Sequence, residues 1–191
     1  MRCLHCGKLS WQLICNSCSE QLLIPDPTQR ILENGLKVNS FFSYEDIAPL
    51  LHAKHTVYGG SIFNLLAKHA FQLFSKKFHF PEMILAVPVD DRACDGYSHT
   101  AILVKALKSA TIKPYFGGLR ATSFHKYSGK DLNFRKANPR KFKCTLPKGS
   151  KVLLVDDLIT SGQTLLEASQ TLEKQGVTTL FALTLANANV F

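Results

Sequence analysis

The 191-residue sequence has no apolar run approaching the ~20 residues that cross a bilayer. Nor does an apolar core follow its first residues, as a signal peptide would need. Neither membrane spanning nor export is expected. Acidic side chains are the next scarcity: 14 Asp and Glu stand against 23 Lys and Arg, a formal net charge of +9. The imbalance peaks between Lys126 and Lys151. There nine basic residues (Lys126, Lys130, Arg135, Lys136, Arg140, Lys141, Lys143, Lys148, Lys151) are opposed by Asp131 alone, a window of +8. Such a patch implies an anionic partner: nucleic acid, a phosphorylated ligand, or an acidic membrane surface met peripherally. Two of the six cysteines, Cys94 and Cys144, stand alone, so no disulfide framework is indicated and a reducing, cytoplasmic compartment fits best.

The other four cysteines form two knuckles, Cys3-x2-Cys6 and Cys15-x2-Cys18, eight residues apart. Paired CxxC spacing lets four thiolates close a tetrahedron around Zn2+, and Gly7 eases the first tight turn. Four thiolates leave no open coordination position, so the metal would be structural, and its binding should drive folding of so short a segment. Residues 1–24 are read as the finger and 25–191 as the main domain. Pro25-Asp26-Pro27 reads as the turn between them.

The main domain is organised around residues 151–164. Val152 to Val155 read as a strand buried on both faces, as in a parallel sheet. Asp156 and Asp157 follow at once, and Thr160-Ser161-Gly162 then opens a helix over 163–175. Backbone N–H groups, hydroxyls and the positive end of a helix suit a phosphate dianion, while neighbouring carboxylates suit the hydroxyls of a ribose. A capped helix would explain one Asp but not this density of polar groups. The candidate ligand-binding residues are Asp156, Asp157, Leu158, Ile159, Thr160, Ser161, Gly162, Gln163 and Thr164.

Elsewhere, a strand is expected over 38–44 and a helix over 47–54 with Pro49 in its first turn. Ser61 is expected to cap a helix over 62–78 whose inner face carries Ile62, Leu65, Leu66, His69 and Leu73. His52 and His55 either assist phosphates beside Lys54 or are plain surface residues, the second reading being favoured, and His69 reads as a satisfied or partly exposed helix residue. Residues 83–89 form a second apolar strand, followed by the polar loop 90–97 and a helix over 98–109. Ligands bind at this edge of open α/β sheets. A strand is expected over 112–116 and a last one over 178–186. Residues 117–139 look like a long excursion, a length that compact domains keep for function. Phe124, Tyr127, Phe134 and Phe142 lie among its charges. They either offer stacking platforms to single-stranded nucleic acid or pack inward beneath solvated lysines.

The 152–164 stretch resembles the PRPP-binding motif of type I phosphoribosyltransferases. Taken with the four cysteines, Tyr44, Lys54, Val87-Pro88-Val89, Gly96-Tyr97, Arg135, Asn138 and Phe142, the chain resembles the ComF/GntX-like family. That resemblance implies an α/β fold with a parallel sheet flanked by helices, of the type I phosphoribosyltransferase kind, behind a four-cysteine finger. It implies Asp156 and Asp157 as catalytic residues on the ribose hydroxyls, Thr160 to Thr164 on the 5-phosphate, and Mg2+ accompanying PRPP. It also makes Asp90, Asp91, Arg92, Gly96 and Tyr97 the pyrophosphate loop. Here the chain departs from the pattern: Asp95 replaces the usual arginine and Ser98-His99 the usual Asn-Gln. Members are linked to natural competence, which implies handling of imported single-stranded DNA, together with competence or DNA-processing proteins. Lys126, Lys130, Arg135, Lys136, Arg140, Lys141 and Lys143 would then contact nucleic acid. The alternative is transfer of ribose 5-phosphate to a nitrogen acceptor, for which no base-recognition loop follows Thr164.

Overall fold

The computed structural model describes residues 1–89, 96–123 and 138–188. Its main sheet has the order β1-β2-β8-β7-β3-β4. The strands are β1 (Thr28–Ile31), β2 (Lys37–Ser43), β3 (Ile84–Pro88), β4 (Ile112–Pro114), β7 (Lys151–Ile159) and β8 (Thr178–Asn187). Only the edge strand β1 runs antiparallel to its neighbour; β2, β8, β7, β3 and β4 are mutually parallel. The central β7 has the composition that this position demands, since Val152, Leu153, Leu154 and Val155 are fully buried.

Alternate residues of β7 feed two cores. Leu153 and Val155 face a cluster with the helices α2 (Tyr44–His52), α3 (Gly59–His69), α4 (Phe71–Lys77) and α5 (His99–Ala106). Val152 and Leu154 face the other, where α6 (Gln163–Lys174) packs with the hairpin of β5 (Leu119–Ala121) and β6 (Phe142–Cys144). The four-cysteine segment, with α1 (Asn16–Leu22), is not a detached bead. Cys3, Ile14, Cys18 and Leu23 belong to the same apolar cluster as Phe41, Ile47 and Leu50 of the main body.

Several local expectations change. The helix expected over 62–78 breaks at Ala70, whose φ and ψ are −108° and −72°. The change of axis lets Phe71 enter the core, its ring centroid 4.9 Å from that of Phe41, and leaves Leu73 exposed. Ser61 is not the cap of this helix: α3 starts at Gly59, whose N–H bonds Thr56 O. Pro49 lies in the middle of α2 because that helix starts directly after β2, at Tyr44. The described ends of the 117–139 excursion are ordered by the β5–β6 hairpin, which buries Leu119, Ala121 and Phe142. Phe142 thus packs inward; Phe124, Tyr127 and Phe134 lie outside the described residues.

Candidate functional site

β3 ends its pairing with β7 at Pro88↔Val155, whereas β8 follows β7 as far as Asn187↔Ile159. Asp156 and Asp157 therefore stand one and two residues beyond the last β3 pair, with a neighbouring strand on one side only. From this edge α5 leaves β3 across one face and α6 leaves β7 across the other. Such a divergence opens a crevice at the carboxyl ends of the strands, where α/β proteins bind ligands.

The sequence treats the two acids as one unit, and the structure separates them. Asp157 is buried, and its Oδ2 lies 2.9 Å from Lys54 Nζ and 3.5 Å from His99 Nε2. Asp156 is half-buried; its Oδ1 accepts the N–H of Asp157 at 2.9 Å. Successive residues of a strand face opposite ways, so Asp156 is left on the side of the Thr160–Thr164 turn. Burial and the charge of Asp157 push the Asp156 carboxyl well above the ordinary 3.8, with the Arg140 guanidinium pulling the other way. Burial also works against the charge on Asp157, but Lys54 and His99 outweigh it and hold that carboxyl below 3.8. The two carboxyls are thus driven in opposite directions, because like charges this close disfavour double ionisation.

Next to Asp156, Leu158, Ile159, Thr160, Ser161, Gly162, Gln163, Thr164 and Leu165 line a cradle of about 20 Å³ at the N-terminus of α6. Gly162 caps the helix with φ +80°. A Cβ there would come within 2.5 Å of Leu32 Cδ2, so both the backbone angle and the close approach call for glycine. Arg30 pins the turn from outside, its Nη1 donating to Thr160 O at 2.6 Å and to Asn187 Oδ1 at 3.2 Å. One helical turn on, Glu167 accepts from Gln163 Nε2 at 3.3 Å and from the backbone N–H of Arg140 at 2.7 Å. That second bond fastens the end of the excursion to α6. Arg140, expected on a nucleic-acid surface, is half-buried beside the acidic pair, whereas Lys141 and Lys143 are exposed. Lys126, Lys130, Arg135 and Lys136 lie outside the described residues, as do Asp90, Asp91 and Arg92.

Of the expected pyrophosphate loop, Gly96 and Tyr97 are described. With His55, Thr56, Val57, Gly60, Ser61 and Asn64 they line a cavity of about 430 Å³. Tyr97 donates its hydroxyl to Lys54 O at 2.8 Å. Ser98 caps α5 by accepting the N–H of Ala101 at 3.1 Å. His99, Glu167, Arg30 and Leu32 were not expected at the site, and Lys54, expected as part of the resemblance, was not expected on Asp157. Only Glu167 carried a local signal, its i,i+4 spacing from Gln163 on one helix.

At the other end of the chain, one sulfur each from Cys3, Cys6, Cys15 and Cys18 lies within 4.8 Å of every other. Cys6 Sγ and Cys15 Sγ are 3.8 Å apart. A tetrahedron with metal–sulfur bonds of about 2.3 Å has edges of about 3.8 Å, so the donor set fits a metal ion such as zinc. Burial acts to raise the Cys3 thiol, yet backbone N–H groups of Cys6, Cys15 and His5 bring it down to about 6, favouring thiolate. The bond from Cys15 N to Cys3 Sγ is 3.3 Å.

The model of the phosphoribosyl transferase domain family matches residues 117–190, from the β5–β6 hairpin through β8. The fold is of the phosphoribosyltransferase type. Three solved structures illustrate the likeness, none above 17% identity. Adenine phosphoribosyltransferase from Saccharomyces cerevisiae is 15% identical over 90% of this chain and 88% of its own, with a TM-score of 0.41. Orotate phosphoribosyltransferase from Aeropyrum pernix is 17% identical over 90% and 80%, with a TM-score of 0.39. Hypoxanthine phosphoribosyltransferase from Staphylococcus aureus is 15% identical over 67% of this chain, with a TM-score of 0.41, and the match spans 64% of its length. No curated protein matches. Among the described residues, no helix is long and apolar enough to cross a membrane.

Proposed function

We propose that the chain binds a ribose 5-phosphate of the PRPP class at the carboxyl end of β7. The observation that carries this reading is the cradle at the start of α6, lined by Thr160 to Thr164 with Asp156 beside them. Helix N-terminal N–H groups and the Thr160, Ser161 and Thr164 hydroxyls suit the 5-phosphate. Asp156, beside the cradle, would accept hydrogen bonds from the ribose hydroxyls. Asp157, kept ionised behind it, lowers the energy of positive charge developing at the sugar carbon as pyrophosphate departs. Mg2+, bound mainly through ligand oxygens and water, would supply charge neutralisation of the diphosphate. The resemblance would assign that diphosphate to the loop of Asp90, Asp91, Arg92, Gly96 and Tyr97. Calorimetric titration with Mg2+ and PRPP tests the reading: saturable binding by the wild type, lost in the Asp156→Ala, Asp157→Ala double variant, is expected. Equal binding by both overturns it.

A second reading places the chain in the ComF/GntX-like family, with a finger over residues 1–24 holding zinc, a main domain over 25–191, a cytoplasmic location and single-stranded DNA as partner. Exposed Lys141 and Lys143 on the hairpin, within a chain of net charge +9, favour it. Phosphate contacts would dominate, so binding should fall steeply with salt. Single-stranded DNA affinity at two salt concentrations tests this, and no binding at low salt overturns it.

A further inference from the structure

Lys54 lies 103 residues before Asp157 in the chain, on the short 3-10 turn Ala53–His55 that follows α2. That turn is fastened from two directions. Its main chain is held by the Tyr97 hydroxyl on Lys54 O at 2.8 Å, and its side chain by Asp157 at 2.9 Å. Tyr97 comes just after the loop that leaves β3, and its ring lies 4.0 Å from where a Cβ on Gly60 would sit. Among the described residues, the charged and titratable groups bearing on Asp157 are Lys54 from this turn, His99 from α5 and Asp156 from β7 itself, while Arg140 ahead of β6 bears on Asp156 and Tyr97 on Lys54. His99 is steadied by its ring against Phe63, centroids 5.4 Å apart.

We propose that Lys54 is the positioning residue of the acidic pair: it holds Asp157 back as the ionised member, leaves Asp156 to meet the ligand, and is itself set in place by Tyr97. This rests on the ribose-phosphate reading for its purpose, but not for its geometry. Lys54 is partly open to solvent, with a side-chain exposure of 30%, so its ammonium can also contact a bound anion without leaving Asp157. The bond from Tyr97 ties the placement of Lys54 to the segment leading into α5.

The test uses the ligand-free full chain with 13C-labelled aspartate carboxyls, assigned through Asp156→Asn and Asp157→Asn. In Lys54→Met the Asp157 midpoint should rise by at least one pH unit, a tenfold gain in proton affinity. Lys54→Arg should restore it, and Tyr97→Phe should shift it the same way by less. Lys54→Gln keeps a hydrogen-bond donor without the charge and should behave as Lys54→Met; it serves if the methionine variant does not fold. An Asp157 midpoint unchanged in either neutral variant, or unrestored by arginine, overturns the proposal. In parallel, Mg2+ and PRPP are titrated into the same proteins, and binding should weaken at least tenfold in Lys54→Met and recover in Lys54→Arg. Absence of binding by the wild type overturns the ribose-phosphate reading, while the carboxyl titrations still decide the role of Lys54.

Discussion

Gly59 lies directly beneath the hydroxyl of Tyr97. A methyl group on Gly59 would overlap that oxygen and approach Ala53 O to 2.7 Å and Lys54 Cα to 3.0 Å. Three pieces of chain meet at this point: the turn carrying Lys54, the first residue of α3 and the segment leading into α5. Gly59→Ala must move backbone as well as a side chain. It should destabilise the fold by about 1–3 kcal/mol, the usual range for overpacking, and weaken the Tyr97 bond to Lys54. Thermal melts and urea titrations check this; an unchanged midpoint would show that the contact yields freely.

Gly162 supplies a second steric prediction, this time at the cradle. Alanine there faces a φ of +80° and a Leu32 methyl at 2.5 Å. Gly162→Ala should cost about 1–3 kcal/mol and loosen the Thr160–Thr164 turn. Adding Leu32→Ala removes the clash but not the backbone strain, so the double variant should recover only part of the difference. Full recovery would mean that the backbone angle carries no cost.

The two acids should bend the pH dependence of stability in opposite directions. For Asp157, the folded carboxyl lies below the ordinary 3.8, so its contribution is present above pH 3.8 and is lost as pH falls through the lower folded value. For Asp156, the folded carboxyl lies well above 3.8, so stability drains as pH rises from 3.8 through that raised value. Asp156→Asn should accordingly raise the melting temperature at pH 7 relative to wild type and have little effect at pH 4. Asp157→Asn should lower it at pH 7. Parallel melts at the two pH values decide, and matching shifts for both variants would refute the division of the pair.

Metal removal should reach beyond the four-cysteine segment. Cys3, Ile14, Cys18 and Leu23 are buried in the same cluster as α2 and β2, so losing the tetrahedron exposes apolar surface of the main body. A strong chelator should release about one zinc per chain and lower the melting temperature of the whole protein. Cys6→Ser, which alters an exposed member of the cluster, should do the same. A metal content far below one per chain, or a melt indifferent to chelation, would remove the site.

Much of this molecule was legible from short stretches. Val152 to Val155 could only be an inner strand, and Gly162 followed by an amphipathic helix could only be a turn. The cysteine spacing admitted a four-sulfur cluster. Each of these is a local property, written in periodicity, spacing or backbone freedom within a few residues. The break at Ala70 was not legible, because neither proline nor glycine marks it; the need to seat Phe71 against Phe41 decides it. The hairpin of β5 and β6 was hidden for a similar reason, its two strands being separated by 20 residues of polar chain.

By itself the sequence determined that two adjacent carboxylates and a hydroxyl-rich bend end the same inner strand. It left those carboxylates equivalent. Only the tertiary structure made them different, by bringing Lys54 and His99 to one and the cradle to the other. The charge of a buried group depends on which partners surround it in space, and those partners come from α2's end, α5 and the chain ahead of β6. No window of neighbouring residues contains that information.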